Sequence, residues 1–256
     1  MKLNYKVTGE GRPLIIAHGL FGSLDNWLTL ARRFGETHKT YLVDMRNHGK
    51  SPRADSHSYG DMAEDILHFM DDHALHDAVL LGHSMGGKAV MEAAMLQPER
   101  LAGVIIADMA PVAYTPHHNE IFDALLGLDL KSLNNRAEAE TYLAASIPEA
   151  AVRQFLLKNI DRLQDGTYEW KMNLPVLFKE YNNILNEISH GIYTGPTLAL
   201  RGERSQYVKD AYLPAFQHRF TDFDLMTIPN AGHWIHAEQP ELFYEIVRNF
   251  LQKNNL

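Results

Sequence analysis

The sequence predicts an α/β fold in which a mostly parallel central sheet is flanked by helices and a helical cap is inserted near the middle of the chain. Two observations predict it. Short β-rich runs alternate with segments of helical spacing, which is typical of βαβ units around a parallel sheet. From about residue 114 to residue 191 almost every segment has helical spacing instead. We therefore expect a core domain of residues 1–113 and 192–256, and a cap of residues 114–191 that follows the strand ending near Asp108.

The individual elements follow from apolar spacing and from turn residues. A short apolar run bounded by Gly, Asp or Asn indicates a buried strand, and apolar residues three and four apart indicate a helix. The predicted core strands are 3–8, 14–17, 40–43, 78–81, 104–107, 197–200 and 223–228. The predicted core helices are 27–34, 59–73, 88–96 and 240–251, the third of which is ended by Pro98.

Composition excludes several classes of function. The chain has 256 residues, a formal net charge of −8 and no cysteine. It lacks the clustered Lys and Arg that bind nucleic acid, and without cysteine it has no disulfide, thiolate metal site or cysteine nucleophile. No apolar run approaches the length of a membrane span, and the first residues do not resemble a signal peptide. We expect a soluble, cytoplasmic protein that needs no cofactor and acts on a small molecule.

The residues Gly82-His83-Ser84-Met85-Gly86 match the pattern G-x-S-x-G. They lie between a predicted strand and a predicted helix, which is the context that the pattern requires. A serine on such a sharp turn has its hydroxyl exposed above the sheet, and glycines at both ends avoid collisions across the turn. The alternative, a glycine-rich turn with an incidental serine, does not explain this context. Ser84 is the predicted nucleophile.

A serine nucleophile needs a base, and His233 is the best placed of the 14 histidines. Gly232-His233-Trp234 follows the last predicted strand and precedes the last helix, so we expect it at the carboxyl edge of the sheet, where Ser84 also lies. Ligands bind at this edge in open α/β sheets. An imidazole there can accept the serine proton and pass it to a leaving group.

The acid that orients the histidine has three candidates. Asp108 ends the strand after the nucleophile helix and is favoured because its strand directs it to the active edge. Glu203 and Asp210, after the next strand, are the rivals. Such an acid holds the imidazole in the required tautomer and stabilises its charged form.

Two backbone amides are expected to form an oxyanion hole. The amide of Met85, directly after the nucleophile, is one donor. The other comes from the loop after the first buried strand, His18-Gly19-Leu20-Phe21-Gly22, where we favour Leu20 and keep Phe21 as the alternative. His18 itself is interpreted as a residue that supports this loop.

With these residues placed, the chain resembles the α/β-hydrolase superfamily and, more narrowly, the bacterial YbfF-type esterases. The superfamily features are His18-Gly19, the Asp44–Ser51 loop, the Ser84 turn and Gly232-His233. The narrower likeness comes from the motifs His18-Gly19-Leu20-Phe21-Gly22-Ser23, Asp108-Met109-Ala110-Pro111-Val112, Phe155-Leu156-Leu157-Lys158-Asn159 and Tyr168-Glu169-Trp170-Lys171-Met172-Asn173-Leu174.

This resemblance implies an α/β-hydrolase fold and bears on both the acid and the reaction. Most members of the superfamily carry the acid in a G-x-x-D pattern, where this sequence has Gly202-Glu203-Arg204-Ser205. A serine in place of that aspartate favours Asp108, which resembles the alternative position one strand earlier. A serine nucleophile, rather than a carboxylate, implies ester or thioester hydrolysis through an acyl-enzyme.

The cap is expected to cover an apolar acyl pocket for small to medium esters. Its predicted lining residues are Phe21, Phe122, Phe155, Trp170 and Trp234. Adjacent His117 and His118 are poorly spaced for one metal ion, so we predict no metal site.

Three alternative functions stay open at this point. An acyl-CoA thioesterase would need cationic side chains near the pocket mouth, for which Lys88, Arg46 and Arg53 are the candidates. A carbon–carbon bond hydrolase would use the same serine and histidine. A non-catalytic ligand-binding relative would keep the fold without turnover.

Overall fold

The computed structural model describes residues 1–256 and contains a seven-stranded sheet with helices on both faces. The spatial order of the strands in this sheet is β1-β3-β2-β4-β5-β8-β9, and two further strands form a separate hairpin. The nine strands are β1 Tyr5–Thr8, β2 Arg12–Ala17, β3 His38–Val43, β4 Ala78–His83, β5 Leu101–Ala107, β6 Ile160–Arg162, β7 Tyr168–Trp170, β8 Tyr193–Gly202 and β9 Phe220–Ile228.

Eleven α-helices and four short 3-10 helices connect these strands. The α-helices are α1 Leu28–Phe34, α2 Tyr59–Asp72, α3 Met85–Leu96, α4 Asn119–Gly127, α5 Arg136–Ala144, α6 Ala150–Leu157, α7 Leu174–Lys179, α8 Tyr181–Leu185, α9 Leu213–Gln217, α10 Ile235–Glu238 and α11 Pro240–Lys253. The 3-10 helices are Leu24–Trp27, Pro98–Arg100, Leu130–Ser132 and Asp210–Tyr212. None of the helices is both long enough and apolar enough to cross a membrane.

Every neighbouring pair in the large sheet is parallel except β1 with β3. The central strands are buried on both faces, as continuous apolar sequences predict. Alternate residues of β4 belong to different apolar layers: Leu80 packs on one face of the sheet, and Val79 and Leu81 pack on the other. The mostly parallel α/β fold predicted from the sequence is confirmed.

The register of the sheet brings several strand ends to one edge. Ala17 of β2 pairs with Gly82 of β4, His83 pairs with Ala107 of β5, and Ala107 pairs with Leu200 of β8. Because these strands are parallel, the residues that follow their carboxyl ends meet at the same edge. This edge carries the candidate site.

Residues 114–191, called the insert below, lie between β5 and β8 and contain α4 to α8. The prediction that this segment is all-helical was wrong in one respect, because β6 and β7 form an antiparallel hairpin. Gly166 adopts a left-handed φ of +89° in the hairpin turn, a conformation that glycine tolerates without strain. Each strand has only three residues, which is too short for an alternating pattern to be recognised.

Candidate active site

Ser84 lies on the turn between β4 and α3 with a left-handed backbone, φ 53° and ψ −119°. Two glycines make this turn possible. A Cβ on Gly82 would lie 2.1 Å from the carbonyl oxygen of Gly86, and a Cβ on Gly86 would lie 2.4 Å from the carbonyl oxygen of Ala17. The tight turn therefore requires glycine at both positions, as the sequence pattern indicated.

His233 lies on the loop between β9 and α10, and its ring reaches Ser84. The Nε2 atom of His233 is 3.0 Å from the Oγ atom of Ser84. Gly202 allows the close approach of the two loops here, since a Cβ at Gly202 would lie 2.1 Å from the carbonyl oxygen of Gly232. The structure thus brings the predicted nucleophile and the predicted base into hydrogen-bond contact.

Asp108, directly after β5, completes a chain of side chains with His233 and Ser84. Its Oδ2 atom is 2.7 Å from Nδ1 of His233, and its Oδ1 atom accepts a hydrogen bond of 2.9 Å from the Gly202 amide. Asp108 is fully buried and has a left-handed φ of 52°. The hydroxyl of Ser205 also donates to Oδ2 and itself accepts from the Tyr207 amide at 3.2 Å.

The two rival acids point elsewhere. Glu203 accepts a hydrogen bond of 2.8 Å from the Asn230 amide. Asp210 forms an ion pair of 2.5 Å with Arg201. Neither carboxylate contacts His233, so among the three acids considered the geometry favours Asp108. Ser205 stands where most members of the superfamily carry the acid, and its hydroxyl contacts Asp108.

These contacts define the protonation states that the site favours. Burial, together with a smaller contribution from nearby His117, lowers the pKa of His233 to about 3, and Glu238 opposes this shift. Burial raises the pKa of Asp108, while the Ser205 hydroxyl and the Gly202 amide oppose that shift by donating to the carboxylate. Since Nδ1 of the neutral imidazole donates to Asp108, Nε2 presents its lone pair to the Ser84 hydroxyl. This is the tautomer that a general base needs.

The loop after β2 carries the two amides predicted as alternatives for the oxyanion hole, and one of them is free. Residues Gly19 to Gly22 form a turn closed by a 2.9 Å hydrogen bond from the Gly22 amide to the Gly19 carbonyl. The Phe21 amide donates to Nε2 of His48 at 3.3 Å, whereas the amides of Leu20 and Met85 donate to no acceptor within the protein. Of the two candidates on this loop, Leu20 is therefore the one with a free donor.

Buried neutral histidines hold this loop in place. His18 accepts a hydrogen bond of 3.0 Å from the Met45 amide on Nε2, so its proton lies on Nδ1 and is donated to the Gly19 carbonyl at 2.8 Å. Burial lowers the pKa of His18 and His48. Both rings thus stay neutral and contribute fixed hydrogen bonds rather than charge.

A cavity of about 380 Å³ opens above Ser84 between the sheet edge and the insert. Three of the predicted lining residues, Phe21, Phe155 and Trp234, do line it. The rings of Phe155 and Trp234 lie 5.8 Å apart, one from the insert and one from the core. Apolar residues of the insert supply much of the remaining surface: Ile121, Ile147, Val152 and Leu156.

The prediction that Phe122 and Trp170 line the pocket was wrong. Phe122 is fully buried behind Phe21, with the two ring centroids 5.0 Å apart, so it supports the wall without reaching the cavity. Trp170 belongs to the β6–β7 hairpin and packs against the large apolar cluster, which contains residues of both the core and the insert. Helical or strand spacing identifies apolar positions but does not say which ones face a cavity.

Tyr207 is a cavity residue that sequence reasoning missed. Its ring stacks on His233 with centroids 3.9 Å apart and planes 19° apart. Its hydroxyl is hydrogen-bonded to Nε2 of His117 in the insert. Tyr207 lies two residues after Ser205, so one short loop contacts both the acid and the imidazole. No local motif marks it, because both contacts join residues distant in sequence.

The three cations considered for a coenzyme A substrate lie away from the cavity lining. Lys88 is fully buried and donates to the Asn186 carbonyl at 2.5 Å. Arg46 is buried and pairs with Asp65 at 2.6 Å, and Arg53 donates to the Trp170 carbonyl. No group of three or more His, Asp and Glu side chains is arranged to hold a metal ion.

The fold and the site define a class of protein, which comparison with known proteins then narrows. A family described by its α/β hydrolase fold matches residues 12–240, and the chain belongs to the α/β-hydrolase family. It is 37% identical to Esterase YbfF of Escherichia coli strain K12, over 98% of this chain and 99% of that protein. The chain is thus an enzyme of the serine hydrolase class that is similar to the YbfF-type esterases.

Two further likenesses extend over most of the chain. The sn-1-specific diacylglycerol lipase ABHD11 of Danio rerio is 35% identical over 95% of this chain and 80% of its own length. A solved structure of a marine microorganism esterase superposes with a TM-score of 0.96 at 41% identity, covering 98% of this chain and 99% of that one.

Proposed function

We propose that the protein hydrolyses carboxylic esters of small to medium acyl chains through an acyl-enzyme on Ser84, with His233 as general acid and base and Asp108 as the orienting acid. The observation that carries this proposal is the continuous contact from Asp108 to His233 to Ser84 at the floor of a mostly apolar cavity. Nothing else in the molecule combines a nucleophile, a base and a space for substrate in this way.

The contacts support a reaction in two halves. In the first, the Oγ atom of Ser84 attacks the ester carbonyl carbon while Nε2 of His233 accepts its proton. The carbonyl oxygen gains negative charge within reach of the Leu20 and Met85 amides. As the carbon–oxygen bond to the alcohol breaks, Nε2 returns the proton to the leaving oxygen. Ser84 then carries the acyl group.

The second half repeats the chemistry with water. Nε2 of His233 removes a proton from the attacking water, whose oxygen bonds to the acyl carbon. The bond to Oγ of Ser84 breaks, and the proton passes from His233 to Oγ. The products are the carboxylic acid and the regenerated enzyme. Asp108 keeps the imidazole in one tautomer and stabilises its charged form in both halves.

The insert is proposed to act as a cap that selects the acyl chain. At the cavity the insert contributes aliphatic side chains, and the core edge contributes Ser84 and His233. The aliphatic residues of the insert are Ile121, Ile147, Val152 and Leu156. An ester can thus bury its acyl chain beneath the insert while its carbonyl contacts Ser84. The burial of Lys88 and Arg46 removes two of the cations on which an acyl-CoA substrate would depend.

Covalent labelling tests the proposal directly. A fluorophosphonate probe should modify the wild-type protein at Ser84, and Ser84→Ala should abolish both labelling and ester turnover, a loss on the order of 10⁶-fold. Ser146→Ala is the matched control, because Ser146 lines the same cavity without a hydrogen bond to His233. Labelling that persists in Ser84→Ala would overturn the assignment of the nucleophile.

A further inference from the structure

His236 is a buried histidine that the proposed chemistry does not use. It lies three residues after His233, in α10, and is only 6% exposed. Its ring stacks on Trp27 with centroids 4.1 Å apart and planes 9° apart. Both residues line the cavity above Ser84. The stack fixes the orientation of the imidazole toward the substrate space.

Neither ring nitrogen of His236 has a hydrogen-bond partner within the protein. Nδ1 is shut away from the surface without a partner, so Nε2 is the nitrogen that the cavity can reach. Burial lowers the pKa of His236 well below its ordinary value, so the ring carries a single proton. That proton is least costly on Nε2, where a partner can approach, because a buried unpaired donor is unfavourable. His236 thus presents one neutral N–H donor.

Asn26 presents a second donor to the same cavity. Its Oδ1 atom is occupied, since it accepts a hydrogen bond of 2.8 Å from the Ser23 amide. This contact also distinguishes the two ends of the amide group and leaves Nδ2 as the free end, which donates to no protein acceptor. Asn26 lines the cavity next to Trp27 in sequence, and Trp27 carries the His236 stack.

The charges around the cavity indicate what kind of group these donors would take. The only Asp, Glu, Lys or Arg side chains that line it are Glu120 and Glu149. Neither glutamate forms an ion pair, and no Lys or Arg is present to neutralise an incoming anion. A carboxylate or phosphate would therefore be repelled and left without a counter-charge. An uncharged oxygen has no such penalty and matches two neutral donors.

We propose that His236 and Asn26 form a substrate subsite for a second, uncharged oxygen atom, separate from the ester carbonyl that Ser84 attacks. Nε2 of His236 and Nδ2 of Asn26 would donate to this oxygen, which could belong to a hydroxyl, an ether or a carbonyl group. The preferred substrates are then esters with a further neutral oxygen rather than plain alkyl esters. This inference rests on the proposed ester hydrolysis and specifies its substrate class.

Two pairs of isosteric esters test the subsite in the two parts of the substrate. In the acyl pair, 4-nitrophenyl methoxyacetate is compared with 4-nitrophenyl butanoate. In the alcohol pair, 2-methoxyethyl acetate is compared with butyl acetate. In each pair one methylene is replaced by oxygen, and the quantity measured is the ratio of kcat/KM for the ether over the alkyl ester. The two esters of a pair differ in intrinsic reactivity, but this difference is the same for every variant and cancels when the ratios of two variants are compared.

His236→Phe keeps a flat ring against Trp27 and removes both nitrogens. We expect it to lower the ratio roughly threefold to tenfold in one of the two pairs, the worth of one neutral hydrogen bond. Asn26→Asp keeps the acceptor for the Ser23 amide, removes the donor and should lower the same ratio. It provides the test if His236→Phe does not fold. His218→Phe is the control, since His218 is exposed and remote from the cavity lining.

The outcomes separate the subsite from the reaction. If the wild-type enzyme hydrolyses all four esters and both variants keep the wild-type ratios, the subsite is wrong and ester hydrolysis stands. If the wild-type enzyme hydrolyses none of them, the proposed function is wrong and the subsite is overturned with it. A lowered ratio in the acyl pair places the subsite beside the acyl group of the ester. A lowered ratio in the alcohol pair places it beside the leaving alcohol.

Discussion

The sheet edge and the insert contribute differently to the same cavity. At the sheet edge, hydrogen bonds fix the polar groups of the predicted triad, and the Asp108 carboxylate alone contacts His233, Gly202 and Ser205. The insert contributes aliphatic side chains such as Ile147 to the cavity. Hydrogen bonds demand fixed geometry, whereas apolar contact tolerates variation in shape. We infer that the edge determines the reaction and the insert determines the acyl chain, and the following changes test that division.

The largest expected effect in this comparison is at the acid. Asp108→Asn should lower kcat/KM by roughly 10³–10⁴-fold, because an amide cannot hold His233 in the tautomer that accepts the serine proton. Glu203→Gln and Asp210→Asn are matched controls and should change kcat/KM far less. A steady-state assay on 4-nitrophenyl acetate measures all three variants. The reverse ranking would show that the acid lies after β8 instead of β5.

Ser205 is expected to act as a positioning residue through Asp108. Ser205→Ala removes a hydrogen bond to the Asp108 carboxylate and should lower kcat by about 10-fold to 100-fold. The KM should change little, because Ser205 is not among the residues that line the cavity. Ser205→Thr keeps a hydroxyl and should restore most of the activity. A rise in KM with unchanged kcat in Ser205→Ala would contradict this role.

The pH dependence reports the burial of His233. Only the neutral imidazole can accept the Ser84 proton, so kcat/KM should fall up to tenfold per unit once the pH drops through the free-enzyme pKa. Burial lowers that pKa, so the acid midpoint should lie below 6.5, the ordinary value for histidine. A pH–rate profile on a neutral ester measures it. A midpoint above 6.5 would mean that the Asp108 carboxylate raises the pKa of His233 by more than burial lowers it.

A smaller effect is expected from the insert. Phe155→Ala should lower the ratio of kcat/KM for hexanoate over acetate esters by roughly fourfold, about the worth of one buried methylene. The acetate rate should change little, because the chemistry lies at the sheet edge. Phe178→Ala is the control, since Phe178 belongs to the insert but is exposed and does not line the cavity. Equal losses on both esters would show that the insert also shapes the reaction.

The sheet edge and the insert also differ in how much of each the sequence could predict. Ser84 and His233 carry local signals, because their turns need particular residues at fixed spacing on the chain. The contact of Ser205 with Asp108 joins residues 97 positions apart, and the stacking of Tyr207 on His233 likewise depends on the assembled sheet. Neither leaves a local pattern.

Predictions for the insert failed for a related reason. Apolar spacing identified Phe122 and Trp170 as buried positions, and both are packed against apolar neighbours. Which side of a helix or hairpin faces the cavity depends on how the insert packs on the core. The β6–β7 hairpin was missed because its strands are too short to show a period of two.

Phe21, Ser84 and Asp108 all have left-handed backbones, with φ of 60°, 53° and 52°. Each non-glycine residue in this region costs on the order of 1–3 kcal/mol, which the surrounding packing must offset. A laboratory evolution experiment that selects for heat resistance alone would thus find stabilising replacements at Ser84 and Asp108, glycine first among them, whereas the buried ring of Phe21 contributes packing that glycine would remove. Such clones would gain melting temperature while losing catalysis, so thermostable variants should be sought by screening turnover alongside survival.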